Sequence, residues 1–197
     1  MKKTIFAIFF VMVTSLTASS QINWKIDAAH SNVLFTVSHM VISEVTGSFR
    51  EFDATLTQTG NDLTGSKLTA KIMVNSINTD NEGRDKHLRS ADFFETEKYP
   101  EITFLSKSFE KVGDNKYKIT GDLTMHGITK TVVLDVKYNG QMTDPWGNTK
   151  AGFKAVTNIN RKDFGLTWNK TLDAGGLLVG EDISININAE MVKEKNK

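Results

Sequence analysis

Apolar and polar residues alternate with a period of two through most of the chain beyond residue 30. Val33, Phe35 and Val37 share one parity, with Asn32, Thr36 and Ser38 on the other. Leu68, Ala70, Ile72 and Val74 repeat the pattern, as do Tyr117, Ile119, Leu123 and Met125. Val132, Leu134, Val136 and Tyr138 follow, then Ala151, Phe153 and Ala155, and finally Ile183, Ile185, Ile187 and Ala189. A period of two sends successive side chains to opposite faces of a strand, so each run has one apolar and one wet face. The runs predict eight strands, over 33–39, 45–56, 66–75, 101–109, 116–125, 130–138, 150–160 and 182–191. Turn residues separate them: Gly60-Asn61-Asp62, Gly113-Asp114-Asn115 and Asp144-Pro145-Trp146-Gly147-Asn148. Short alternating strands joined by hairpins make an antiparallel sandwich or a closed barrel. A barrel of eight strands has an interior that side chains can fill or that can hold one small ligand.

Two stretches depart from the alternation. Val45, Gly47 and Phe49 lie on one parity, but Phe52, Ala54 and Leu56 lie on the other, so a β-bulge is expected near Arg50 and Glu51. Asn78 to Phe94, NTDNEGRDKHLRSADFF, is not strand-like. Asp80 or Asn81 can N-cap a short helix through Leu88, and Ser90 a further turn that delivers Phe93 and Phe94. A helical insertion over 81–94 between strands is placed to serve as a lid or plug, with its two phenylalanines as anchors.

The first twenty residues differ in kind. Lys2 and Lys3 precede an apolar run from Ile5 to Val13, followed by small polar residues and Ala18-x-Ser20. This is the pattern of a secretory signal peptide, and the run is too short to span a bilayer, which takes about 20 residues. Cleavage near Ser20-Gln21 is expected to leave residues 21–197 as a single domain, periplasmic or secreted. Loss of two lysines leaves 22 Lys and Arg against 23 Asp and Glu, so the formal charge passes from +1 to −1. Near-neutral charge gives nothing to draw the chain onto nucleic acid or an anionic membrane, and no stable membrane insertion is expected. The chain has no Cys, which excludes disulfides, thiolate nucleophiles and Cys–zinc sites.

The candidate chemistry is thin. His30, His39, His87 and His126 show no metal-ligand spacing, so no metal is expected. His39 shares parity with Val33 and Phe35 and is expected to point inward. Arg84, Asp85, His87, Arg89 and Asp92 suit an ion-pair network fixing the lid, or a polar rim that holds a headgroup. Asp122, Thr124, His126 and Lys130 superficially resemble hydrolase chemistry. Asp122 and Thr124, however, fall on the solvent parity without a nucleophile elbow, and His126-Gly127 reads as a hairpin turn. Arg161 ends a strand, where it can pair with Asp163 or close one end of the barrel. Trp146 and Trp168 read as end plugs or packing anchors.

Taken in order, the motifs resemble a known family. They are Trp24-x-Ile26-Asp27-x-x-His30-Ser31, Val37-x-His39-Met40, Val45-x-Gly47-x-Phe49, Ser76-Ile77-x-Thr79 and Arg84-Asp85-x-His87-Leu88-x-Ser90-x-Asp92-Phe93-Phe94. Tyr99-Pro100-x-Ile102-x-Phe104, Gly121-x-Leu123-Thr124-x-His126-Gly127-x-Thr129-Lys130 and Arg161-x-Asp163-Phe164-Gly165-Leu166 complete the set. Together they resemble the YceI-like family of exported bacterial proteins, from about Trp24 to Glu190. The resemblance implies an eight-stranded, lipocalin-like antiparallel barrel with a helical insertion. It also implies a polyisoprenoid lipid or quinone tail as ligand, with no catalytic residues and no cofactor beyond that ligand. Parity then puts Val33, Phe35, Phe49, Phe93, Phe104, Leu123 and Phe153 against the tail. His39, Arg84, His87 and His126 are the polar candidates for a headgroup. The expected function is carriage or sequestration of that lipid. The alternatives are a stress-response or structural module with a filled core and an isoprenoid-acting enzyme. A homodimer is left open.

Overall fold

The computed structural model describes residues 21–60, 62–172 and 175–195. The expected signal peptide over 1–20 and Asn61 of the first turn lie outside the described residues. The strands are β1 (Gln21–Ile26), β2 (Asn32–His39), β3 (Ser43–Phe49), β4 (Phe52–Thr59), β5 (Lys67–Met73) and β6 (Ile77–Asn78). After α1 (Glu82–Arg89) come β7 (Glu101–Gly113), β8 (Lys116–Met125), β9 (Ile128–Thr143), β10 (Thr149–Asn160) and β11 (Val179–Lys193).

Every pairing is antiparallel. The order β1-β4-β5-β7-β8-β9-β10-β11 closes on itself where Ile26 of β1 meets Met191 of β11. β2, β3 and β6 are not extra staves. β11 pairs with β2 along Val179–Asn188 and with β1 along Met191–Lys193, so β1 and β2 are two halves of one stave. In the same way β3 continues into β4, and β5 into β6, with β3 paired to both β2 and β6. The molecule is an eight-stave barrel in which three neighbouring staves are bent.

The bends have local causes. Between β1 and β2 a 3-10 turn, Ala28–His30, is capped by Asp27, whose carboxylate accepts from the Ala29 N–H at 3.1 Å. Between β3 and β4 the expected bulge is instead a complete break at Arg50 and Glu51. The two backbone N–H groups freed there donate to Ser76 Oγ at 3.1 and 3.0 Å, and that hydroxyl donates to Met73 O at 2.6 Å. One serine on the β5–β6 bend thus replaces ladder bonds that a bulge would have kept. The change of parity at residue 50 marks a stave turning a corner.

Asn81 caps α1, its side chain accepting from Arg84 N–H at 2.9 Å. The helix stops at Ser90, whose N–H and hydroxyl both donate to His87 O. Phe93 and Phe94 are then fixed by N–H bonds to Ser90 O and Leu88 O. The segment 82–100 fills the space beside β6, which among the described residues pairs only with β3.

The barrel wall is apolar inside and polar outside. Outward-facing pairs such as Lys118–Asp135 at 2.9 Å and Lys71–Glu101 at 3.0 Å cross between adjacent strands. This is the reverse of a barrel that faces lipid with its outer wall. Among the described residues no helix is long and apolar enough to cross a membrane. Trp146 is not an end plug: it sits on the tip of the β9–β10 hairpin with 81% of its surface exposed, because β9 and β10 run past the rim.

Candidate ligand-binding site

Inward residues of a solid barrel would all be buried. Here Phe35, Ala54, Ile72, Phe153, Ile185 and Ile187 point inward yet are only half-buried. They face a cavity of about 250 Å³ that runs from Leu63 and Tyr117 at one end to Leu88 and Leu166 at the end carrying α1. An apolar cavity of about 150 Å³ is already large enough to stay dry and admit an apolar guest.

Two glycines help keep this space clear. A Cβ on Gly47 would lie 2.3 Å from Phe35 Cζ, and one on Gly121 would lie 2.4 Å from Phe104 Cζ. Each ring therefore lies flat over a cross-strand glycine instead of standing into the lumen. Lid residues complete the wall: Phe93 is buried, and its ring meets Trp168 at 5.1 Å and His87 at 5.1 Å.

Val33, Phe35, Phe49, Phe93, Phe104, Leu123 and Phe153 all stand on the tunnel wall. The four polar candidates do not. His39 has the inward parity but is not on the tunnel wall; it lies at the end of β2, opposite Val179 and Ser43. Arg84 turns back onto its own loop, donating from Nε to Thr79 Oγ1 and from Nη2 to Thr79 O, both at 2.8 Å. Asp85 completes that knot by accepting from the Thr79 N–H and hydroxyl. His87 bonds Asp92 at 2.9 Å and packs edge-on against Trp168. His126 adopts φ +52° in the β8–β9 turn, followed by Gly127 at +74°. Its Nδ1 reaches Phe164 O at 3.2 Å, and its ring packs on Tyr99. These residues hold the lid and rim together.

The hydrolase-like residues do not converge. Asp122 faces outward to Lys107 and Thr131, and Thr124 pairs hydroxyl to hydroxyl with Thr129 at 2.8 Å. Asp27, His30 and Glu190 do gather, but around the Lys150 ammonium, 3.0 Å from Asp27 and 2.7 Å from Glu190. Hydrogen bonds from His30 and Lys150 lower the Asp27 pKa to about 2.

One wall residue was not among the expected ligand contacts. Arg161 lines the tunnel at the α1 end and is only 3% exposed. It does not pair with Asp163. Its Nε donates to Gly180 O at 2.8 Å, Nη1 to Leu166 O and Nη2 to Val179 O at 3.4 Å. Burial pushes its pKa down from the ordinary arginine value, with Glu181 acting the other way. The available signal was positional: Ile159 is inward, and Arg161 has the same parity. Asp53 and Lys71 also border the cavity, but both are exposed neighbours on β4 and β5.

Comparison with known proteins places this architecture. A family profile described as "YceI-like domain" matches residues 24–191. A UPF0312 protein of Staphylococcus aureus strain MSSA476 is 40% identical over 169 residues, covering 85% of this chain and 96% of the relative. A solved YceI protein of Campylobacter jejuni is 35% identical with a TM-score of 0.66, over 81% of this chain and 90% of that one. A polyisoprenoid binding domain from Saccharophagus degradans shares the fold at 17% identity and a TM-score of 0.65, over 87% of this chain and 98% of that domain.

Proposed function

This chain belongs to the YceI-like family, and on that premise we propose that it is an exported protein that binds a long-chain isoprenoid lipid in its lumen. It carries or sequesters that lipid without acting on it chemically. The cargo class is a polyprenol, a polyprenyl phosphate or a quinone tail. The observation that carries this reading is the hollow interior: inward phenylalanines and isoleucines left half-buried around an apolar tunnel. Each buried CH₂ of a guest contributes roughly 0.8 kcal/mol, and a long tail is insoluble outside a membrane. The naming of the Saccharophagus degradans neighbour as a polyisoprenoid binding domain supports the ligand class. Export rests on the pattern over residues 1–20.

A filled-core structural module is disfavoured by the cavity. An enzyme acting on the tail would need a general acid or base on the tunnel wall. The only buried titratable groups found there among the described residues are Tyr117 and Arg161. The test is native mass spectrometry of the full-length gene product, expressed in a bacterial host and purified from the periplasm without detergent. A polypeptide starting at Gln21 with one isoprenoid adduct per barrel is expected. A ligand-free mass from a host that makes such lipids would overturn the binding reading, and retention of residues 1–20 the export reading.

A further inference from the structure

Arg161 is out of place in a wall built from Phe, Ile, Leu, Val and Met. Its three hydrogen bonds all go to neutral carbonyls, of Leu166, Val179 and Gly180. A guanidinium carries five N–H donors, so two have no partner among the described residues. Among the described residues no carboxylate lies within ion-pair distance of it. The nearest charge influence, Glu181, is bonded to Lys162 Nζ at 2.5 Å. A buried cation without a counter-charge is costly, and arginine does not shed its proton to escape. The side chain nevertheless borders the tunnel where the apolar path ends, with Leu166 and Val179 beside it.

We propose that Arg161 is the headgroup site of the tunnel, and that the natural cargo is an acidic amphiphile. The anionic oxygen of such a lipid accepts from the Arg161 guanidinium while its tail lies along the lumen. Guanidinium binds phosphate and carboxylate oxygens with charge-assisted, often paired hydrogen bonds. An anion here supplies the counter-charge that none of the described residues provides. This rests on the lipid-binding reading and narrows it to lipids ending in phosphate or carboxylate, with neutral alcohols as poorer guests.

The experiment uses delipidated mature protein and two matched pairs of probes: polyprenyl phosphate against polyprenol, and a long-chain fatty acid against its alcohol. The acidic member of at least one pair is expected to bind 10-fold or more tightly at neutral pH. Preference in the first pair alone identifies phosphate, and in the second alone carboxylate. In Arg161→Gln the preference is expected to vanish while the neutral probe still binds. Because Arg161 also ties Leu166 to Val179 and Gly180, that variant can fail to fold. The wild-type protein therefore carries a second measurement, the Arg161 Nε–H resonance of ¹⁵N-arginine-labelled protein. It is expected to shift with the acidic probe and to stay in place with the neutral one. Equal affinities within both pairs, or an unmoved resonance, would overturn the headgroup assignment and leave a purely structural arginine. Failure of all four probes to bind would overturn the lipid-binding reading along with it.

Discussion

At neutral pH the Asp27 carboxylate lies between the Lys150 ammonium and the His30 ring, where β1 hands over to β2. Its pKa is about 2 in the fold against an ordinary 3.8, so the folded state holds the charged form more firmly than the unfolded chain does. The resulting stabilisation is complete above about pH 4 and disappears as pH falls toward 2. Partial solvent exposure keeps it to about 1 kcal/mol. Urea melts across that window should show stability falling with acid, and Asp27→Asn should flatten the slope by that amount. Individual polar residues were the least legible part of the sequence. Parity correctly faces Phe35 and Phe153 inward, but parity says nothing about which inward positions border the tunnel, so it wrongly counts His39 among them. The partner of Arg84 is Thr79, five residues back, and only the fold of the lid shows that the two meet. Charge in Arg161 is visible in the sequence; its burial against three carbonyls is not.

Each full-length stave was legible because hairpin turns bracket it and one of its faces is apolar. The eight expected strands correspond to the eight staves of the barrel. What the alternation did not reveal is that three of them bend. The parity change at Arg50 is compatible with a bulge or a corner, and Ser76, some 25 residues away, decides between them. β1 was missed although Ile22, Trp24 and Ile26 alternate in it; it is a half-stave lying next to the expected cleavage site. The glycines of β3 and β8 yield a prediction at this scale. In Gly121→Ala the new Cβ would approach Phe104 Cζ to 2.4 Å and Leu105 O to 2.7 Å. The ring must swing into the lumen, and the backbone at Leu105 must give way as well. The variant should lose about 1–3 kcal/mol, and a crystal structure should show Phe104 standing in a narrowed tunnel. A ring left in place with an unchanged tunnel would contradict this account of the glycine.

The whole molecule leaves apolar surface uncovered inside itself, which weakens the empty barrel relative to the filled one. A guest present at about 100 times its Kd adds about 2.7 kcal/mol, and in a protein of this size each kcal/mol moves Tm by about 2–4 °C. Calorimetry should therefore find the delipidated protein melting roughly 5–10 °C below the loaded one, whereas a barrel with a filled core would melt at the same temperature before and after extraction. The general architecture was legible because it follows from alternation and hairpins; the extent of hollowness was not, since a sequence records side-chain volume but not how rings lie. Closure of the ring has a kinetic meaning as well. The staves are laced together by hydrogen bonds from β1 round to β11 and back, and breaking a run of them to let a long molecule slip out sideways would amount to unfolding the wall. A chain inside can leave only by reptation, tip first along its own contour, like thread drawn from a needle. Residence time should then lengthen with each added unit of tail, making the barrel a ruler that sorts its guests by how long they take to pull free.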